Sequence, residues 1–340
     1  MPNNYGKYPL ISIVILNYNG KDFVEQCLKS VLNADYPNFE VILVDNASTD
    51  GSPKLVKKVF GSDPRLKVIQ NNKNLGFAEG NNIGVKIAKG DYIVFLNNDT
   101  EVDPDWIEEL VGGIKSDSTI GIAQSKLLSL SNRKTIDCTG GFIDHYGWSH
   151  RRGEGKEDRQ QCNRVDEIFY AVGAAMAIKR DVLSKTGVFD SRYFIYFEDV
   201  DLCWRVWLSG YRVVFVPTSI VFHMVRGTMK RQPVRTIFLS CKNNITTLLK
   251  NYELQNVAKY LPVNLIFICI VATFCLLKNE INITLAYLKA ILWNLLNLKH
   301  IWVERLRVQH IIRKIPDCKL FERGIILQKP LFASMLHKQS

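Results

Sequence analysis

The chain contains no Cys-x-x-Cys pair, no Gly-x-Gly-x-x-Gly and no Gly-rich phosphate loop ending in Lys-Ser or Lys-Thr. The first absence argues against a zinc ribbon or a thioredoxin-like redox centre. The other two argue against the dinucleotide fingerprint and the NTPase P-loop. Eight cysteines, at 27, 138, 162, 203, 241, 269, 275 and 318, are scattered, several in apolar runs. They read as reduced core thiols in a cytosolic compartment, not a disulfide framework. Internal repeats and low-complexity segments are missing too, and 47% of residues are hydrophobic, so the chain is not disordered. The N-terminus is polar and passes directly into an apolar run, so no secretory signal is expected.

Acidic residues are scarce in one region only. Residues 224–340 hold 18 Lys/Arg against 5 Asp/Glu, whereas residues 1–223 hold 26 against 28. The net charge of +11 is therefore a property of the C-terminal third. Its basic residues are interleaved with long apolar runs, which favours an anionic membrane surface over nucleic acid as the partner.

A length of 340 residues allows one large α/β domain plus an appendage. Leu10–Leu16 is a short continuous apolar run, the pattern of a buried parallel strand. Phe23, Val24, Leu28, Val31 and Leu32 follow at helical spacing. A second strand, Phe39–Val44, a helix near Pro53–Phe60, a third strand at Leu66–Gln70 and a helix ending near Lys89 come next. Strand and helix alternate with short connections, which specifies a doubly wound, mainly parallel sheet. Further elements are expected at 103–116, 169–178, 181–186, 198–209 and 211–216, and the polar segment 130–165 is expected to be a mobile loop. Beyond residue 235 the pattern becomes helical, so the chain divides into 1–235 and 236–340. Leu261–Leu277 is uncharged and spans about 26 Å at ~1.5 Å per residue, short of a bilayer core of ~30 Å. Pro262 and Asn264 interrupt it. A helical appendage attached at the cytoplasmic face of the membrane, peripheral or shallowly inserted, is expected.

The candidate chemistry lies where strands stop. Ile93–Leu96 ends abruptly at Asn97-Asn98-Asp99, and carboxyl ends of buried strands open into the ligand crevice of an α/β domain. A carboxylate and two amides there are hard ligands suited to Mg²⁺ or Mn²⁺ carrying a diphosphate; a strand-end turn is the alternative. Asp45 ends the second strand, where it can accept from the N–H of a uracil or thymine ring, or instead form an Asx-turn with Ser48 and Asp50. Asn74-Leu75-Gly76, continuing through Asn81 and Asn82 to Gly84, allows close backbone approach to a polar ligand, or makes a simple loop-to-helix junction. Glu198, Asp199 and Asp201 crowd a helix start, which the helix dipole favours. The Glu198-Asp199 pair can also supply a general base, while Asp201 and Arg205, spaced i, i+4, suit an orienting ion pair.

Taken in order, these elements closely resemble the inverting, metal-dependent nucleotide-sugar glycosyltransferases of family 2, which have the A-type (GT-A) fold. The resemblance rests on Ser12–Gly20, Asp45–Ser52, Asn74–Gly84, Phe95–Thr100, Gly173–Arg180, Glu198–Arg205 and His223, and covers roughly residues 8–235. Within the family the chain looks most like the enzymes called rhamnosyltransferases, which build cell-surface polysaccharides. The resemblance implies a UDP- or dTDP-sugar donor and a lipid-linked or glycan acceptor. It assigns Asn17, Asp45, Asn74, Gly76, Asn81, Asn97 and Asn98 to the nucleotide-sugar pocket, and Asp99 and His223 to the metal. Asp199 matches the catalytic base, with Glu198 the nearest alternative. Gly173 and Ala174 match the acceptor-side loop, and Asp201 and Arg205 fall on that side. Arg226, or a basic residue of 151–159, is placed to assist the phosphates.

Two departures matter. Asn97 stands where many members have Asp, so weak metal binding without nucleotide is expected. Gln232-Pro233-Val234-Arg235 is followed by Thr236, not the Trp of processive synthases, which points to transfer of one sugar per encounter. The rivals are a sugar-phosphate nucleotidylyltransferase and a non-catalytic sugar-nucleotide-binding protein. The first should show a Gly-rich basic loop after the first strand, which Ile11–Gly20 lacks. The second should not need Asp99, Asp199 and His223 together.

Overall fold

The computed structural model describes residues 8–224 and 232–328. Its first half follows the alternation read from the sequence: β1 (Ile11–Asn17), α1 (Lys21–Leu32), β2 (Phe39–Asp45), α2 (Ser52–Phe60), β3 (Leu66–Gln70), α3 (Gly76–Ile87) and β4 (Tyr92–Asn97). β1 pairs in parallel with both β2 and β4, in a register that sets Asn17 beside Asp45 and Leu16 beside Asn97. Side chains alternate across a strand. Ile11, Ile13 and Ile15 accordingly enter the core on one face of the sheet and Val14 the core on the other.

The second half widens this sheet into a mixed one. β5 (Thr100–Val102), α4 (Trp106–Lys115), β6 (Ile120–Ser129), β7 (Ile136–Cys138), β8 (Gly141–Asp144), β9 (Ser149–Arg151) and β10 (Asp166–Glu167) follow. Then come β11 (Ala175–Lys179), α5 (Arg180–Thr186), α6 (Glu198–Leu208) and β12 (Arg212–His223). The strand order is β10-β12-β6-β11-β4-β1-β2-β3, with β11 antiparallel to both its neighbours and β6 and β12 parallel to each other. A mixed α/β architecture on a central sheet is thus established.

Segment 130–165 differs from the expected mobile loop. It forms β7, which pairs with β6, and the β8–β9 hairpin, which belongs to a small second sheet. Charge compensation is what organises it: Arg152 binds Asp166 at 2.8 Å and Lys126 binds Asp158 at 3.0 Å. A polar composition misled the reading because these partners lie far along the chain.

The helices α7 (Pro233–Asn251), α8 (Leu254–Leu277), α9 (Ile281–Leu296), α10 (Leu298–Arg307) and α11 (Asp317–Glu322) come next, with β13 (Ile326–Leu327) joining β8. The division expected near residue 235 falls beside the undescribed residues 225–231. Residues on both sides of it share one hydrophobic cluster, in which Trp204 makes edge contacts with Phe169 and Tyr252.

The polarity of these helices is inverted. Lys242, Asn243, Asn244, Thr246, Thr247, Lys250 and Asn251 of α7 are all buried. Lys250 reaches Asp190 at 2.8 Å and Asp201 at 3.1 Å, so a cation with 1% exposure is matched by two acids. Asn264, which interrupts the apolar run of α8, is also buried, where it accepts from the Trp148 indole and donates to Asn244. Outward from this polar interior, α8 exposes Ile266, Ile270, Phe274 and Leu277, and α9 exposes Leu285, Leu288, Leu292 and Leu295. Among the described residues α8 alone, with 24 residues, is long and apolar enough to cross a membrane; α9 and the segment 298–312 are bent by 65° at their junction.

Candidate active site

The ends of β1, β2 and β4 converge because their register is in step. Asn17 donates its amide to Asp45 Oδ1 at 2.8 Å and to Ser52 Oγ at 2.9 Å, and it accepts from the Asn98 amide at 2.7 Å. Gly20 is required beside this knot, since a Cβ there would collide with the Asn98 and Asn17 amide groups. Asp45 is 2% exposed and also accepts from the backbone N–H and the hydroxyl of Ser48. The Asx-type turn weighed from the sequence is therefore present. Those three bonds still leave part of the carboxylate's acceptor capacity.

Asn46 ties this knot to the glycine-rich segment by donating to Asn74 Oδ1 at 3.3 Å and to the Gly76 carbonyl at 3.0 Å. Asn74 in turn accepts from the Gly76 N–H. Asn81 is different: its amide donates to the Phe77 carbonyl within α3, so that N–H group is not offered to a ligand.

The next corner is built by β4, β5 and β12. β12 runs antiparallel to β5 with His223 opposite Thr100, which brings the imidazole back to the Asn97-Asn98-Asp99 turn. His223 Nε2 lies 3.3 Å from Asp99 Oδ1 and 3.3 Å from the Asn97 amide. Its Nδ1 lies 2.9 Å from Asp137, a residue of β7 that sequence reasoning passed over. Asp137 is buried and also meets Arg151 at 3.1 Å. Burial alone would lower the His223 pKa, but the hydrogen bonds and charges of Asp137 and Asp99 outweigh it, and the imidazole sits at about 9. Burial would raise Asp137, yet His223 and Arg151 hold it below the ordinary carboxylate range.

This donor set fits a divalent cation. A hard carboxylate and an imidazole face one point, and a carboxylate behind the second ring nitrogen is the usual orienting partner of a metal-bound histidine. Among the described residues no group of three or more His, Cys, Asp or Glu is arranged to hold a metal alone. The single carboxylate of the turn means that other ligands must complete the coordination.

The third corner is the start of α6. Asp199 accepts from the Gly173 N–H at 3.2 Å and from the Val200 N–H at 2.8 Å. Glu198 is buried beside it, with Oε2 lacking a hydrogen-bond partner. Burial and the neighbouring Asp199 charge push Glu198 well above the usual carboxylate range; burial raises Asp199 too, but its two N–H donors and the Arg151 charge oppose this. Both carboxyls are shifted upward, and of the two only Asp199 has hydrogen-bonded N–H donors that favour its charged form. Gly173, whose N–H serves Asp199, lets the chain pass close to the Phe77 ring edge, which an added Cβ would have to displace, and the adjacent Ala174 carbonyl accepts from the Asn97 N–H. Gly173 and Ala174, expected on the acceptor side, thus touch Asp199 and the Asn97 turn respectively.

The chain enters α6 through an unusual loop. Phe194, Tyr196 and Phe197 have φ of 64°, 72° and 68°, left-handed values that side-chain-bearing residues seldom adopt. Asn243 of α7 holds the loop by donating its amide to the carbonyls of Tyr193, Ile195 and Tyr196, at 3.0, 3.0 and 2.7 Å. On the other side the Phe194 carbonyl accepts from the N–H groups of Phe77 and Ala78 at the start of α3. No sequence signal marks Asn243, since a mid-helix Asn is unremarkable until its three partners are known.

Two sequence assignments need correction. Asp201 and Arg205 form the expected ion pair at 3.0 Å, but at 0% and 3% exposure they face the interior, bonded to Lys250, Asn251 and the carbonyls of residues 186–188. They offer nothing to an acceptor. Of the basic residues of 151–159, weighed as an alternative to Arg226 for the phosphates, Arg151 is matched by Asp137 and Glu154 and Arg152 by Asp166. Arg226 lies outside the described residues.

A family model for glycosyl transferase family 2 matches residues 12–187. The O-antigen biosynthesis protein RfbC of Myxococcus xanthus is 28% identical over 221 residues, covering 63% of this chain and 17% of that protein. Among solved structures, GalNAc-T7 with UDP, GalNAc and Mn²⁺ aligns with a TM-score of 0.61 at 20% identity, over 74% of this chain and 50% of the other. The mannosyltransferase PcManGT of Pyrobaculum calidifontis, in complex with GDP-Man and Mn²⁺, aligns at 0.53 and 18% identity, over 85% and 87%. These two likenesses establish the GT-A fold. The matched stretch spans 40% or less of the length of each of the first curated relatives.

Proposed function

The chain belongs to glycosyl transferase family 2, and from that premise we propose that it is an inverting glycosyltransferase of polysaccharide biosynthesis. It would move one sugar from a UDP- or dTDP-sugar, rhamnose among the candidates, to a hydroxyl of a lipid-linked glycan. The observation that carries the reading is Asp199, held by two backbone N–H groups beside the buried Glu198. It is linked to the Asp99–His223 corner by hydrogen bonds through Gly173, Ala174 and Asn97.

In this mechanism Asp199 removes the acceptor hydroxyl proton as that oxygen attacks the anomeric carbon. The bond to the diphosphate breaks on the opposite face, and its electron pair leaves with the nucleotide. Asp99 and His223 would hold Mg²⁺ or Mn²⁺, whose contribution is to neutralise charge on the departing diphosphate. Asp137 keeps the His223 ring oriented, and Asp45 takes the N–H of the base with its remaining lone pair. Asn74 and Gly76 line the nucleoside side. The Asn17–Asn98 knot fixes the relative height of the two strand ends, which supplies positioning.

The inverted polarity of α7–α9 supports attachment at a membrane surface, because leucines and isoleucines face outward where a water-exposed helix pair would place charges. The test is a panel of UDP- and dTDP-sugars with and without Mn²⁺ or Mg²⁺, scored for binding, hydrolysis and product anomer. Binding that needs metal, with inversion at the anomeric carbon, is expected. Release of diphosphate from a nucleoside triphosphate and a sugar phosphate would instead mark a nucleotidylyltransferase. Binding without any turnover would mark a non-catalytic protein.

A further inference from the structure

We propose that the groove between the start of α7 and α9 binds a phosphate ester on a hydrocarbon chain, the head of the lipid-linked acceptor; its role in transfer rests on the glycosyltransferase reading above. The groove has a volume of about 500 Å³. Val234, Phe238, Leu285 and Ala286 make its floor apolar, and Arg235 and Lys289 bring two cations to it, with no acid among the lining residues. Among the described residues neither cation is paired with a carboxylate. Paired cations over an apolar floor select an anion with a hydrophobic continuation; guanidinium and ammonium groups suit phosphate oxygens in particular.

Placement gives this chemistry a direction. At one end, the Arg235 guanidinium lies 4.7 Å over the Phe194 ring, in the left-handed loop that leads to Asp199, and Thr236 meets the Tyr196 hydroxyl at 3.4 Å. An anion held by Arg235 is therefore next to the base-bearing loop. At the other end, Leu285 belongs both to the groove and to the exposed stripe Ile281, Leu285, Leu288, Leu292 and Leu295 of α9. Those residues recur at i, i+4, i+7, i+11 and i+14, one face of a helix. A chain leaving the groove follows that face into hydrocarbon without crossing water.

The experiment uses the full chain in a neutral detergent and three probes: octyl phosphate, octanol and inorganic phosphate. Octyl phosphate is expected to bind at least tenfold more tightly than either fragment, because both halves of the groove are then engaged. Lys289→Glu, an exposed position, should weaken octyl phosphate at least tenfold while UDP binding with Mn²⁺ and the thermal midpoint stay unchanged. Arg235→Lys, which keeps the charge, should retain most of the affinity. Octanol binding equal to octyl phosphate, or a Lys289→Glu protein that binds it normally, overturns the proposal. So does competition by phosphatidylglycerol in phosphatidylcholine vesicles as effective as that by octyl phosphate, since the cations would then serve bulk lipid. Failure of the wild type to bind any UDP or dTDP compound is a separate result, which sinks the transferase reading and not the groove.

Discussion

Asn243→Leu should disable the proposed transferase without touching a substrate. The amide of Asn243 supplies two hydrogens to three carbonyls, those of Tyr193, Ile195 and Tyr196. Leucine fills nearly the same space and donates nothing. Counting two bonds, and a desolvation penalty of ~1–3 kcal/mol for each carbonyl left bare, the loop loses about 2–4 kcal/mol after partial rehydration. Against this, three left-handed residues at 194, 196 and 197 store at least ~1 kcal/mol each. The restraint and the strain are similar in size, so the loop should relax toward ordinary dihedrals once the restraint is gone. Asp199 lies two residues beyond Phe197, and a displacement near 1 Å at a reacting group can cost about 100-fold in rate. Steady-state turnover of the donor should therefore fall by about 100-fold in kcat, with donor affinity within about twofold, in protein shown to be folded by circular dichroism. Asn243→Asp should not rescue it, because an ionised carboxylate donates no hydrogen bond. A folded Asn243→Leu protein with wild-type kcat would refute the reasoning, as would donor affinity falling in parallel with kcat.

Three further changes separate the roles assigned above. Asp199→Asn should lower kcat by ~10²–10⁴ while nucleotide binding by calorimetry is unchanged. Asp137→Leu removes the partner that orients His223 and should weaken Mn²⁺ by ~10–100-fold in the presence of UDP, read from the paramagnetic resonance of the free ion. Burial would raise the pKa of Asp190 and Asp201, but Lys250 with the neighbouring arginines outweighs it and depresses both. A depressed folded pKa means that the unfolded chain binds protons first. The stabilisation is therefore present above the ordinary carboxylate range near ~4 and is lost as pH falls through the lower folded values. Urea midpoints should drop steeply below about pH 4, and Lys250→Met should blunt that drop while destabilising the protein at neutral pH by ~3–5 kcal/mol. An acid limb identical to the wild type's would count against the network.

Much of the fold was legible because local pattern and global position coincide in a parallel sheet. A continuous apolar run such as Ile11–Leu16 can be buried on both faces only as an inner strand, and its end then opens into the crevice. Asp45 and Asn97 could each be placed at a strand end facing the crevice on that ground, while the family resemblance was needed to add Asn17 and bring the three together. The polar stretch 130–165 was illegible for the opposite reason. Its order comes from ion pairs such as Arg152–Asp166 and Lys126–Asp158, whose members are separated by 14 and 32 residues. Asp137 was missed within it, since an isolated Asp in a charged segment carries no period and no motif.

By itself the sequence determined which residue types stand at the strand ends, and that an excess of cations and apolar runs follows them. Tertiary structure alone decided their partners. It set Asp137 behind His223, turned Asp201 and Arg205 inward against Lys250, and gave Asn243 three carbonyls to hold. The reason is physical: backbone periodicity and turn chemistry act over a few neighbours and are written locally. Burial, charge pairing and the protonation they impose depend on groups that meet only after the chain has closed on itself.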